Sequence, residues 1–172
     1  VLSVTLITLF GVLPSLGDWK DDVGFTSLQA RLGINTPRGA GIAVTHVEGR
    51  DSSDNYLPDV NNSEFAGKTF NIKSGSSGVS AHATVVGRYY YGLVTSIAPD
   101  IDPIDLFEVG HWITGGFLKL LSSSVPLTET RRIQNHSWAT TYDNDTYDID
   151  VLRRLDYVIH RDGVVVVAGV NN

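Results

Sequence analysis

Three polar sites fall where acyl-transfer chemistry would need them. Glu48 closes the apolar run Ile42–Val47, and Asn171-Asn172 end the valine-rich run Val164–Val170. His82 lies in the first turn of a predicted helix. There the positive end of the helix dipole disfavours an imidazolium and keeps the ring a neutral base. In an open α/β sheet, ligands bind outside the carboxyl ends of the parallel strands, where a carboxylate, a histidine and an amide would converge. The carboxylate can orient the histidine, the histidine can take a nucleophile's proton, and the amide can hold an oxyanion. The nucleophile is the missing part.

The elements that must position these groups read as alternating helices and strands. Asp18–Leu32 predicts a short helix, with Phe25, Leu28 and Leu32 near helical spacing and Gly33 as its stop. Gly39–Val47 is a β-rich run, and 49–80, dense in Ser, Asn, Asp and Gly, predicts a long loop with a hairpin around Lys68–Ile72. Ser80 and Gly92 bracket a predicted helix over Ala81–Tyr91, whose Tyr89-Tyr90-Tyr91 segment should lie part-buried against the sheet. Pro103 makes Asp100–Phe107 an edge or bulged strand. Val109–Leu121 predicts a helix interrupted by Gly115-Gly116, and Arg132–Trp138 a strand. Asp148–Arg161 is amphipathic, with Val151, Leu152, Leu155, Val158 and Ile159 on one face. Val164–Val167 is apolar on both faces and predicts a central buried strand. The expectation is an α/β fold of three layers: a mostly parallel sheet, incomplete at its last strand, flanked by helices.

Composition narrows the function classes. The chain has 172 residues, 42% of them hydrophobic and 19% charged, with a formal charge of −6 and a pI near 5.2. That argues against a generic nucleic-acid binder, which would present a basic face. It has no cysteine, so disulfides, thiolate metal sites and cysteine nucleophiles are excluded. Val1–Leu13 is uncharged and apolar, too short for the roughly 20 residues of a membrane span, and is followed by Pro14 and Ser15-Leu16-Gly17. Residues 1–17 therefore read as a signal-peptide remnant or, alternatively, as a buried first strand or helix; the domain proper is 18–172. A start at Val1 without methionine and a stop after the valine run read as part of a longer protein.

Metal readings fare poorly. His46, Glu48 and His82 are proper zinc ligands, but no HExxH spacing links them. Asp143, Asp145, Asp148 and Asp150 lack the glycine and terminal glutamate of an EF-hand loop and read better as an acidic helix N-terminus.

Several segments resemble the subtilisin-like serine peptidases (subtilases). Ser80-Ala81-His82-Ala83-Thr84-Val85-Val86-Gly87 resembles the family's histidine box, and Ser96-Ile97-Ala98-Pro99 its Gly-x-Ala-Pro turn. Arg132-Ile133-Gln134-Asn135-His136-Ser137-Trp138 is similar to the strand whose Ser-x-Gly edge pairs with substrate backbone. Val164–Asn172 resembles the strand ending in the oxyanion-hole asparagine. These segments span Gly39–Asn172 in the family's order. The resemblance implies that His82 is the general base, that Asn172 holds the oxyanion, and that Ser137, Trp138 and Ala139 align an extended peptide.

There are departures. The family's first box ends its strand in Asp-Ser/Thr-Gly, whereas this strand reads Val44-Thr45-His46-Val47-Glu48-Gly49. Glu48 takes the orienting role by charge, and a register two residues earlier would put His46 there instead. Strand alternation sets Val44, His46 and Glu48 on one side. Ala139 replaces the edge glycine after a bulky Trp138, and no Gly-Thr-Ser box for the nucleophile occurs in the chain. The expectation is the N-terminal portion of a secreted or surface serine endopeptidase, with the nucleophile in sequence beyond Asn172. It would need no organic cofactor, and although structural calcium occurs in the family, no site for it is located. Its partner would be a peptide or protein substrate, not nucleic acid, and it would have no stable membrane span. The alternative is a non-catalytic module that keeps the fold and a peptide groove.

Overall fold

Five short strands among the described residues build a sheet in which every pairing is parallel, with the second strand in chain order outermost, followed across the sheet by the third, first, fourth and fifth. The strands are β1 (Val44–Glu48), β2 (Phe70–Ile72), β3 (Ile104–Glu108), β4 (Ile133–Ser137) and β5 (Val165–Ala168). The computed structural model describes residues 18–139 and 145–169, apart from the side chain of Asp145. The chain divides into two compact units after Thr36.

In the first unit, the helix expected over Asp18–Leu32 is split. Helix α1 (Trp19–Asp22) ends at Val23, and Gly24 at φ 74° turns the chain into α2 (Phe25–Leu32). A left-handed backbone of this kind is one that glycine adopts without a Cβ penalty.

In the second unit, period-2 alternation along β1 separates two apolar cores. Val44 packs with Ile104, Leu106, Phe65 and Tyr91, the last residue of α3 (Ala81–Tyr91). Val47 packs on the other face with Phe107, Trp112 and Leu118, and with Val151 and Val158 of α5 (Asp145–Asp162). The result is a three-layer α/β fold. Leu152 and Ile159, expected beside Val151 and Val158, remain exposed.

Helix α3 runs over the span the sequence predicts, because Ser80 Oγ accepts the Ala83 N–H at 3.3 Å and Gly92 ends the helix. Four other expectations need correction. The predicted hairpin near Lys68–Ile72 is instead a parallel edge strand, β2, beside β3. Strand β3 is interior, not an edge, because it starts at Ile104 and so leaves Pro103 outside the ladder. The helix expected over Val109–Leu121 is one turn, α4 (Val109–His111), followed by a π-turn ending at Gly116. Gly116 lies so close to His111 that a Cβ would sit 2.7 Å from its Nδ1. Among the described residues the valine run is likewise not central: β5 is their outermost strand beside β4, with Val165 57% and Val167 51% exposed.

Candidate functional site

Parallel register brings the carboxyl ends of three strands level, so that Glu48 of β1 lies opposite Glu108 of β3 and Ser137 of β4. The long loop then returns the chain to this rim. Leu57 and Val79 form a parallel bridge, and the Ser80 N–H donates to the Leu57 carbonyl at 2.8 Å. The N-cap of α3 is thereby fixed beside the end of β1, and His82, in the first turn, reaches Glu48.

His82 Nδ1 lies 2.6 Å from Glu48 Oε1. A carboxylate only accepts, so Nδ1–H is the donor, and in the neutral ring Nε2 keeps its lone pair. The acid is buried and the base is open: their side chains are 3% and 63% exposed. His46, weighed as a rival for the orienting position, is present as well. Its Nε2 lies 3.0 Å from Glu48 Oε2, so each imidazole addresses a different oxygen. The three zinc-capable residues thus meet as a line of hydrogen bonds around one carboxylate. Among the described residues no group of three or more His, Asp or Glu side chains is arranged to hold a metal ion. Of the acidic run weighed for calcium, Asp143 and the Asp145 side chain lie outside the described residues.

Glu48 and His82 line an open cavity of about 750 Å³ together with Ser137, Trp138 and Ala139, so the residues expected to align a substrate share it with the acid and base. Asn172 lies outside the described residues. Both serines at the cavity are engaged elsewhere, Ser80 Oγ as the helix cap and Ser137 Oγ accepting from Asn135 Nδ2 at 2.7 Å.

Sequence reasoning missed Arg50 and His136, which also line the cavity. Arg50 follows Gly49 and is half exposed, its Nε 3.4 Å from Glu108 Oε1. Burial works against the charged form of Glu108. The N–H groups of Gly110 and His111, each at 2.8 Å, and the Arg50 guanidinium outweigh it and hold the carboxyl below its ordinary range.

Trp138 Nε1–H donates to His136 Nδ1 at 3.1 Å, and His136 Nε2–H to Gln134 Oε1 at 3.0 Å. Gln134 in turn donates to Glu129. Burial, reinforced by His46, pushes His136 down to about 4. The alternation Gln134-x-His136-x-Trp138 was the signal that these side chains share one face.

No model of a known protein family matches the chain, and no curated protein matches it. Among the described residues no helix is long and apolar enough to cross a membrane.

Proposed function

We propose that the chain is the N-terminal portion of the catalytic domain of an exported, subtilisin-like serine endopeptidase. One observation carries this reading: an open imidazole held at 2.6 Å by a buried carboxylate, at the carboxyl rim of a parallel sheet. In this reading His82 Nε2 accepts the proton of a serine hydroxyl supplied by sequence beyond Asn172, and the serine oxygen attacks the peptide carbonyl. Glu48 stabilises the imidazolium that forms without taking its proton. Asn172 donates to the oxyanion, and the imidazolium then protonates the departing amine. Water repeats the cycle on the acyl-enzyme. The segment Ser137–Ala139 pairs with an extended peptide as an added strand would. No organic cofactor is needed for these steps.

A second reading, a non-catalytic peptide-binding module of the same fold, is favoured by Trp138, whose bulky ring lines the groove and is tethered to His136. The test is hydrolysis of an unfolded protein by the full-length protein and its H82A variant. Loss of hydrolysis in H82A supports the peptidase. Equal rates defeat the assignment of His82, and no hydrolysis by either protein favours the binding module.

A further inference from the structure

We infer that His46 and Tyr91 are positioning residues, buried partners that hold the Glu48 carboxylate and, through it, the His82 ring in a single proton arrangement. The inference rests on the peptidase reading only for its catalytic consequence.

Glu48 is 3% exposed, and a carboxylate taken out of water is costly unless donors replace its hydration. Among the described residues its side-chain partners are the two imidazoles, one on each oxygen. His46 is 1% exposed, with Nε2 3.0 Å from Glu48 Oε2 and Nδ1 3.1 Å from the Tyr91 hydroxyl oxygen.

The directions follow from what each group can do. Glu48 accepts, so His46 Nε2 carries a hydrogen. In the neutral ring Nδ1 is then an acceptor, and the Tyr91 hydroxyl donates to it. The opposite arrangement, an imidazolium at position 46, aims Nδ1–H at the phenolic oxygen. That would leave the Tyr91 hydroxyl hydrogen, on a residue with no exposed surface, without an acceptor among the described residues. Burial, with Glu48 and Tyr90 adding to it, raises the Tyr91 pKa strongly and keeps the phenol a donor. His46 also faces the Tyr90 ring, 6.4 Å away between centroids, has Leu106 and Asn135 as register partners, and interacts electrostatically with His136, which burial keeps neutral down to about pH 4. None is ionised near neutral pH.

The series Tyr91→His46→Glu48←His82 starts and ends on α3 and passes through β1 between. It therefore clips both ends of the helix to one strand. It also explains how glutamate can serve here. Its side chain has one more rotatable bond than aspartate, and the His46 bond to Oε2 removes that freedom, leaving Oε1 turned toward His82.

The experiment is nitrogen NMR of the imidazole rings in the full chain, ¹⁵N-labelled, as pH rises from about 5 to 9 across the ordinary histidine range. Wild type is expected to show neutral His82 as one tautomer, protonated at Nδ1 and bare at Nε2. H46Q, whose amide can donate to Glu48 and accept from Tyr91, should keep that pattern. H46L should lose it, the two nitrogen shifts collapsing toward those of a freely exchanging ring. In Y91F, an isosteric change, the His46 Nδ1 signal should move to its unbonded position.

His82 shifts unchanged in H46L but moved in E48Q would overturn the inference, because Glu48 would then position the base alone. Should H46L not fold, an unmoved His46 Nδ1 signal in Y91F overturns it equally. A locked His82 in a protein that hydrolyses nothing leaves the hydrogen-bond series standing and counts only against the peptidase.

Discussion

Protonating His136 should cost the fold more than protonating any exposed histidine. Its Nδ1 accepts the Trp138 indole N–H at 3.1 Å, and its Nε2–H donates to Gln134. An added proton would set two N–H groups against each other, because indole nitrogen can only donate. Burial adds the cost of an unsolvated cation, and the ring titrates at about 4 against roughly 6.5 when unfolded. Between those values the unfolded chain binds more protons, so the stabilising contribution is present above about pH 6.5 and lost as pH falls toward 4. Linkage gives a loss of about 2 kcal/mol between pH 7 and 5, and of about 3 kcal/mol by pH 4. Urea denaturation of wild type and H136Q at each pH measures it, since the difference between the two proteins isolates this residue from the carboxylates. A parallel pH dependence in both proteins would refute the reasoning.

Three further changes probe the parts that place the base. In G87A the new Cβ would lie 2.6 Å from the Tyr91 hydroxyl. Overpacking of about 1–3 kcal/mol should exceed the helix-propensity gain of about 1 kcal/mol and lower the thermal midpoint, so a stabilised G87A would contradict the packing around Tyr91. S80A removes the cap of α3 and should cost about 1 kcal/mol, read as a lower urea midpoint. E48Q keeps the shape but offers one oxygen acceptor to two imidazole donors and removes the charge that stabilises the His82 imidazolium. Hydrolysis by the full-length protein should fall by roughly 10⁴-fold, as it does when the acid of a serine–histidine–acid triad becomes an amide.

Local chemistry made much of the fold legible. Ser80 and Gly92 are strong helix punctuation, and α3 follows them. The i, i+7 pair Val151 and Val158 marks the buried side of α5, and strand alternation correctly aligned Val44, His46 and Glu48. Long-range placement was not legible. Four consecutive valines look fully buried, yet Val165 and Val167 lie open in β5, the outermost strand among the described residues, because burial in a sheet depends on partners far away in sequence. Pro103 points to an edge or bulge only if it lies within the strand, and β3 begins after it, at Ile104. At the site, the sequence alone leaves His46 and Glu48 as rivals for one position, whereas both side chains are in the hydrogen-bond series. Period 2 put both side chains on one face, but that Tyr91, at the far end of the next helix, would meet His46 depends on how α3 lies across β1.

The most direct measurement is reaction of the full-length protein with a fluorophosphonate, followed by mapping of the labelled residue. Wild type should carry the label on one serine beyond Asn172, with labelling lost in H82A and strongly slowed in E48Q. Equal labelling of wild type and H82A would contradict a base at His82, and an unlabelled wild type would contradict a serine peptidase altogether.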